Sequence, residues 1–382
     1  MSKFLKLIIA VSFVFVFMAK ANDTASNNQF EFKLPLGISI DIWNYYVPKD
    51  NPLTQAKVEL GKRLFFDKQL SVDGTVSCAT CHDPERAFTD GKRVSEGIQG
   101  RRGTRNAPTI LNAMFNSGQF WDGRAATLEE QAILPLTNLD EMGNASFAEV
   151  VERLKKIPEY KEKFHMVFHS AITIEAVGKA IAAYERTLVS ADSPFDRFQT
   201  GDFSAMTDAQ KRGLLLFRAK ARCNVCHRIS DSYPFFSDQN FRNTGVAANH
   251  PQFERITRLA MEILNRKNPF ADLPSLNQQA GSSELGRFSS TGNALDIGTF
   301  RTPSLRNIEL TAPYFHDGSA STLEDVVRYY MKGGNDNSLR DWELQALDLS
   351  DDEVGDLIAF LKALTSTDIK ASLSAVNQTK IH

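Results

Sequence analysis

The sequence predicts a mainly α-helical protein built from two similar units in tandem. A Gly-x-x-Leu-Phe segment occurs twice, at residues 61–65 and 213–217, and each copy lies ahead of a pair of cysteines. Each half also closes with an amphipathic segment, 174–188 and 352–364, in which apolar residues recur three or four positions apart. Ser350 opens the second of these with a capping-box pattern. Strand signals are weak throughout.

All cysteines of the chain fall into two Cys-x-x-Cys-His motifs. The motif residues are Cys78, Cys81 and His82 in the first half, and Cys223, Cys226 and His227 in the second. Two thiols one helical turn apart can attach to the two vinyl groups of one porphyrin, and the adjacent histidine can bind its iron. A single pair could instead be a redox dithiol, half a zinc site or a disulfide. Two copies that each end in histidine predict two covalently bound haems c.

A helix before each haem motif and a helix closing each unit is the layout of a cytochrome c fold. We therefore expect a mainly α fold of two tandem cytochrome c-like domains, each with one covalent c-type haem. Their expected bounds are residues 34–190 and 205–366, followed by a tail at 367–382. Two stretches without clear periodicity, 228–250 and 265–305, are predicted to be ordered loops around the haems.

The N-terminus predicts export. Lys3 and Lys6 precede an apolar run at residues 7–19, and a small-x-small pattern ends at Ala21, as in a cleavable signal peptide at 1–21. An uncleaved membrane anchor is the alternative, although the run is short for a span. We expect the mature protein in the periplasm. Cleavage removes three lysines and no acids, which changes the formal net charge from −2 to −5. This weak acidity gives no support for nucleic-acid binding and suits a cationic redox partner.

The sixth coordination position of each iron separates an electron carrier from an enzyme. A carrier fills both positions with strong ligands, whereas a peroxidase leaves one open beneath an acid–base group. No histidine occurs within 80 residues after the first motif, and the methionines in reach are Met114 and Met142. The first haem is therefore expected to lack a strong distal ligand.

Four segments resemble the bacterial di-haem cytochrome c peroxidase family. They are Arg-Asn-Ala-Pro-Thr at 105–109, Phe-Trp-Asp-Gly-Arg-Ala at 120–125, Thr-Pro-Ser-Leu-Arg-Asn at 302–307 and Thr-Ala-Pro-Tyr-Phe-His-Asp-Gly at 311–318. The resemblance runs from about residue 34 to 366 and implies two cytochrome c domains with a calcium ion between them. It also implies that hydrogen peroxide reacts at the N-terminal haem. Electrons would come from a small redox protein, a cytochrome c or cupredoxin, through the C-terminal haem. Homodimers are common in the family.

The resemblance also assigns roles to individual residues. Glu141 matches the acid–base carboxylate of the peroxide pocket, Gln131 its neighbour, and Trp121 the tryptophan between the haems. The matched calcium ligands are the side chain of Asn106 and the carbonyl groups of Thr311 and Pro313, and His316 is given a structural or electron-path role.

Glu141 also suits the chemistry. Splitting the peroxide O–O bond requires a proton to move from one oxygen to the other, and a carboxyl group whose pKa is raised by burial can move it. Asp140 is the nearest competitor, and a solvated surface charge is the alternative for either residue.

Ile98 is a departure from the family pattern. Members of the family place a histidine in the loop before Arg105, where it caps the peroxidatic iron until the second haem is reduced. The matching position here is Ile98, which cannot bind iron. The first haem is therefore expected to be five-coordinate or water-bound, with no need for reductive activation.

A second departure concerns the other haem. Family peroxidases carry methionine fourteen residues beyond the histidine that matches His316, and that position here is Tyr330, followed by Met331. Neighbouring helical residues diverge by about 100°, so both cannot face one iron. Tyr330 lies at the centre of the apolar stripe and is the preferred ligand, although a buried core tyrosine is the ordinary interpretation and Met331 remains the alternative.

Tyrosine at this position resembles the tyrosine-ligated MauG-like subgroup of the family. A phenolate stabilises the higher oxidation states of iron, whereas methionine sulfur favours Fe(II). Peroxide reduction is the expected parent activity. The alternative is oxidation of Trp or Tyr side chains of a partner protein, and a non-catalytic di-haem electron carrier is a third interpretation.

Overall fold

The computed structural model describes residues 30–373 except 31, 268 and 372. The predicted leader at 1–21 lies outside the described residues, as does the tail beyond 373. The helices are α1 Ile40–Tyr46, α2 Gln55–Phe66, α3 Cys78–Cys81, α4 Leu128–Thr137, α5 Phe147–Lys155, α6 Pro158–Phe168, α7 Ile174–Glu185, α8 Pro194–Gln199, α9 Asp208–Arg218, α10 Phe253–Leu264, α11 Pro269–Leu276, α12 Phe288–Thr291, α13 Leu323–Met331 and α14 Asp351–Lys362. Two short antiparallel strands, β1 Phe241–Arg242 and β2 Phe300–Arg301, pair with each other. The mainly α prediction is confirmed.

Each half contains a close crossing between an early helix and a late one. In the first half, α2 packs on α7, and a Cβ atom added at Gly61 would collide with the carbonyl oxygen of Ala180. In the second half, α9 packs on α14, and a Cβ atom at Gly213 would collide with the carbonyl oxygen of Asp356. The glycines of the repeated Gly-x-x-Leu-Phe segments therefore let two helix backbones touch.

A loop is repeated in the same way. Asn112 and Asn307 both adopt left-handed backbone conformations, with φ of 62° and 61°. The N–H of Asn112 donates to the carbonyl of Leu188 at 2.8 Å, and the N–H of Asn307 donates to that of Leu364 at 3.1 Å. Leu188 and Leu364 each follow the closing helix, so the two halves correspond residue by residue here.

The halves are joined by a reciprocal pair of backbone hydrogen bonds. The N–H of Asn106 donates to the carbonyl of His316 at 2.8 Å, and the N–H of Arg301 donates to that of Trp121 at 2.7 Å. Asn106 lies six residues before Asn112, and Arg301 lies six residues before Asn307, so the two residues occupy matching positions of the repeat. Because each half gives the same bond to the other, the halves are related by an approximate two-fold axis.

The buried apolar residues form three clusters. The first surrounds the α2–α7 crossing, and the second surrounds the α9–α14 crossing. The third lies around α10 and includes Ile256, Leu285 and Phe288. This third cluster corrects the loop prediction for residues 265–305, since α11, α12 and β2 lie in that stretch. Its order comes from packing against α10, which the local composition does not reveal.

The segment expected to join the halves, residues 190–204, contains α8 rather than a plain linker. Asp196 on this helix forms a bidentate ion pair with Arg306 at 2.8 Å, and both side chains are at least 96% buried. No helix among the described residues is long and apolar enough to cross a membrane.

Candidate functional site

The first Cys-x-x-Cys-His motif forms α3. The helix starts after Ser77, which makes a capping box with Thr80, and His82 follows its last residue. The Nδ1 atom of His82 donates to the carbonyl of Phe88 at 3.3 Å. A proton fixed on Nδ1 leaves the Nε2 lone pair free for a metal ion.

The second motif repeats this geometry. Residues Cys223–Val225 form a short 3-10 helix, and the N–H of His227 donates back to Cys223 at 2.9 Å. Its Nδ1 donates to the carbonyl of Phe236 at 2.9 Å. Phe88 and Phe236 both have positive φ, of 58° and 54°. Burial lowers the pKa of both histidines, so each imidazole is held in the neutral, metal-binding form.

The motif residues fit covalent haem. None of the four cysteines is paired in a disulfide, and burial raises the pKa of Cys81 and of Cys226 to about 11. Reactive thiolates require a lowered pKa, so these raised values give no support for a redox dithiol. Among the described residues, no group of three or more His, Cys, Asp or Glu side chains is arranged to hold a metal ion.

Arg301 provides an independent test of fit. Its guanidinium group is buried, its Nε has no hydrogen-bond partner, and Nη1 donates to the amide oxygen of Asn116 at 3.0 Å. Burial lowers its pKa to about 10. A buried cation needs an anion. The propionate carboxylates of a haem are anions of the kind that this guanidinium would accept, and sequence reasoning did not identify the residue.

Glu141 lies beside the first motif. Its side chain is half-buried, and Asn138 Nδ2 donates to its Oε1 at 2.6 Å. Burial raises its pKa, although Arg124 and Asn138 act in the opposite direction. The carboxylate acts electrostatically on the thiols of both Cys78 and Cys81. Asp140, the competing acid, is exposed.

Ile98 packs directly against the Glu141 loop. It is 4% exposed, and its N–H donates to the carbonyl of Glu141 at 2.9 Å. A Cβ atom at the preceding Gly97 would collide with the backbone of Asp140 and Glu141. The loop that could carry a histidine therefore presents a buried apolar side chain beside the acid.

Trp121 lies at the junction of the halves. Its indole N–H donates to the carbonyl of Asn106 at 2.9 Å, and its own carbonyl accepts from Arg301. The ring packs against the third apolar cluster. Gln131 is half-buried on α4, the helix that ends just before the Glu141 loop.

Tyr330 lies near the second motif. Burial raises the pKa of its phenol, and Tyr329, Cys226 and Cys223 raise it further. Both cysteines are therefore close enough to act on the phenol. Met331 instead packs against the second apolar cluster, and its carbonyl accepts from Leu347 at 2.9 Å.

The expected calcium ligands lie on two segments, one from each half, that are joined by the backbone hydrogen bond between Asn106 and His316. The side-chain amide of Asn106 donates to the carbonyl of Lys92 at 2.9 Å, which leaves its Oδ1 available. The segment with Thr311 and Pro313 runs into His316, which is bonded to the backbone of Asn106. No hydrogen bond between described residues ends on the carbonyl oxygens of Thr311 and Pro313. Three neutral oxygens suit Ca²⁺, which prefers oxygen ligands.

His316 forms a buried pair that sequence reasoning did not predict. Its Nε2 lies 2.8 Å from Glu284 Oε2, and its ring stacks on Phe300 with centroids 3.5 Å apart. Burial acts to raise the pKa of Glu284, but the hydrogen bond with His316 acts to lower it, and the net pKa is lowered. No signal in the sequence connects residues 284 and 316, because only the fold brings them together.

Comparisons with known proteins identify the family of this chain. A family model described as di-haem cytochrome c peroxidase matches residues 55–204. The chain is 37% identical to cytochrome-c peroxidase IdrP1 of Pseudomonas sp. strain SCT, over 84% of each protein. It is 39% identical to the methylamine utilization protein MauG of Methylorubrum extorquens, over 83% of this chain and 80% of that protein. The crystal structure of a MauG-like protein associated with microbial copper homeostasis matches with a TM-score of 0.70 and 36% identity, over 85% of this chain and 94% of that one. The chain therefore belongs to the di-haem cytochrome c peroxidase family and is an oxidoreductase of the peroxidase type.

Proposed function

We propose that the protein reduces hydrogen peroxide to water at a haem on the first Cys-x-x-Cys-His motif. Electrons reach this haem through a second haem, on the second motif. Each haem lies in its own cytochrome c-like domain, at residues 34–190 and 205–366. The observation that carries the proposal is the contact between Ile98, which offers no ligand, and the loop of Glu141, an acid of raised pKa that acts on both thiols of the first motif.

The bound haem iron supplies the electrons and the site at which a peroxide oxygen binds. Glu141 moves a proton from the iron-facing oxygen to the outer oxygen, which leaves as water. Its raised pKa favours the protonated form that can give up this proton, and Asn138 orients the carboxyl group. Gln131 is the polar neighbour that positions the peroxide.

The internal repeat supports an open first iron. Thr127 and Thr322 cap α4 and α13, and Pro135 and Tyr330 each lie eight residues further on. Pro135 therefore occupies in the first half the position that Tyr330 occupies in the second. Proline has no ligating side-chain atom, so this position cannot close the first iron.

Tyr330 is the proposed sixth ligand of the second haem, since it approaches both cysteines of that motif while Met331 packs into the core. A tyrosine ligand favours storage of an oxidising equivalent over electron uptake from a donor of high potential. Trp121 couples the two haems. This ligand supports a second candidate function, oxidation of Trp or Tyr side chains of a partner protein, and the relationship to MauG supports it too.

Several further features complete the proposal. The leader at 1–21 directs the protein to the periplasm, where haem is attached. One calcium ion binds Asn106, Thr311 and Pro313 at the seam between the domains. The electron donor is a small cytochrome c or cupredoxin, and the protein forms a homodimer.

Spectroscopy and rapid mixing of the protein with both haems in the ferric state test the proposal. We expect one high-spin and one low-spin haem in the electron paramagnetic resonance spectrum, and a reaction with peroxide without prior reduction. Two low-spin haems with activity only after half-reduction would contradict it.

Protein oxidation is tested separately. Candidate partner proteins are incubated with peroxide and the holoprotein, and mass spectrometry then searches their Trp and Tyr residues for added oxygen or new cross-links. Steady-state oxidation of a reduced cytochrome c or cupredoxin without such products favours the peroxidase.

A further inference from the structure

Glu185 is a buried carboxyl group that the proposed mechanism does not use. It ends α7 and is 4% exposed, and its Oε2 has no hydrogen-bond partner. Buried carboxyl groups are normally paired or hydrogen-bonded, because an isolated charge in the interior is costly. A buried acid with an unpartnered oxygen therefore requires an explanation.

The groups that act on Glu185 do not neutralise it. Its neighbour Arg186 is committed to a bidentate ion pair with Glu129 of α4, at 2.7 and 2.9 Å. Glu185 also acts on Tyr184 of the same helix and on Cys78 of α3, and neither group carries a positive charge. Burial raises the pKa of Glu185 to about 8; Arg186 lowers it and Glu129 raises it.

The internal repeat shows that the fold does not need this carboxyl group. At the two helix crossings, Gly61 faces Ala180 and Tyr184, and Gly213 faces Asp356 and Phe360. The residue after Tyr184 is Glu185, and the residue after Phe360 is Leu361, which is 7% exposed. The same structural position is thus filled by leucine in one half and by an acid in the other.

Glu185 also lies near the attachment point of the first haem. Of the groups that act on the Cys78 thiol, Glu185 is the strongest after burial, and Glu141 acts on it as well. A haem joined to Cys78 would be attached at an atom on which this carboxyl group acts. In the enclosed interior, the charge on the iron and the charge on the carboxylate interact strongly.

We propose that Glu185 is a proton-binding group of the first haem. When this haem accepts one electron from a one-electron donor, Glu185 takes up one proton from solvent on its carboxylate, and it releases the proton when the haem loses the electron. The internal charge is then unchanged by electron transfer. The proposal rests on haem attachment at the first motif, as in the proposed function, and not on peroxide turnover.

Redox titration of the holoprotein at a series of pH values tests the proposal. If one proton accompanies the electron, the reduction potential of the first haem changes by about 59 mV per pH unit, which is a tenfold change in the electron equilibrium. This slope holds between the pKa of Glu185 with the haem oxidised and its pKa with the haem reduced. Glu185→Gln should remove this slope. Glu185→Leu, which copies Leu361, should remove it too.

Two controls accompany the titration. Glu175→Gln, an exposed acid at the other end of α7, should keep the slope, and the second haem should be unaffected in every variant. Infrared difference spectra should show a carboxyl band that appears on reduction and is missing in Glu185→Gln. A slope that persists in both Glu185 variants overturns the proposal, as does loss of the first haem from both, which would mean a structural role. If the Glu185 variants lose the slope but the wild type does not react with peroxide, the proposed function alone would be overturned.

Discussion

Adjacent acids in the Glu141 loop have different environments, and this difference predicts different effects of mutation. We expect Glu141→Gln to slow the reaction with peroxide by about 10²- to 10⁴-fold, because the proton carrier is lost. Asp140→Asn should have little effect, since Asp140 is exposed. Stopped-flow absorbance measures both rates, and pyridine haemochrome spectra check that two haems remain. Equal rates for Glu141→Gln and the wild type would remove Glu141 from the mechanism.

Ile98 allows a test of the open first iron. Ile98→His should place an imidazole beside Glu141, because the backbone hydrogen bond that holds this loop does not depend on the side chain. The first haem should become low-spin, and the peroxide rate should fall by about tenfold or more until the protein is half-reduced, since a coordinated histidine blocks the iron. Ile98→Val is the control. A variant that stays high-spin would show that the loop does not reach the iron.

Tyr330 and Met331 give a paired prediction for the second haem. Tyr330→Met should raise its reduction potential by about 0.1 V or more, because sulfur stabilises Fe(II) and axial ligands shift haem potentials over about 0.8 V. Met331→Leu should leave the potential unchanged, since this side chain packs in the core. The reverse outcome in redox titration would identify Met331 as the ligand.

At the scale of secondary structure elements, the two helix crossings depend on single glycines. Gly61→Ala and Gly213→Ala would each push a methyl group into a backbone carbonyl of the facing helix. We expect the free energy of unfolding to fall by about 1–3 kcal/mol for each. Gly355 on α14 has no atom within 4 Å of an added Cβ, so Gly355→Ala should stabilise the protein by about 0.5–1 kcal/mol. Denaturant titrations measure the free energy of unfolding of the three variants. Equal effects of the three substitutions would contradict the close helix contacts at Gly61 and Gly213.

At the scale of the whole molecule, the Asp196–Arg306 ion pair joins α8 to the second half. Asp196→Asn should lower the free energy of unfolding by about 3–5 kcal/mol, because it leaves a buried guanidinium unpaired. Although burial opposes it, Arg306 lowers the pKa of Asp196 in the folded state. The stabilisation is therefore present above the ordinary aspartate pKa of about 3.9 and is lost as the pH falls through the lower folded value.

Thermal unfolding at several pH values checks this prediction. The wild type should lose stability below about pH 4, and Asp196→Asn should lose less over the same interval. The ion pair Arg212–Asp356, in which the Arg212 side chain is 60% exposed, is a control, since Asp356→Asn should cost less than about 1 kcal/mol. Equal losses from the two ion pairs would contradict the structural role of Asp196.

The mainly α class, the repeated helices and the family could all be predicted from the amino-acid sequence. These depend on local spacing: two cysteines one turn apart, a histidine after them, and apolar residues at helical intervals. It also identified Glu141, Ile98 and Tyr330 as informative positions, by comparison with the family pattern.

The other features became visible in the folded protein. The third apolar cluster, the Glu284–His316 pair, the unpaired guanidinium of Arg301 and the buried acid Glu185 depend on contacts between residues far apart in the chain. Burial and pairing are properties of a side chain's surroundings and leave no periodic signal in the sequence. The approximate two-fold relation was hidden for the same reason, since two equal halves can pack in many ways, and only the reciprocal hydrogen bonds from Asn106 and Arg301 define this one.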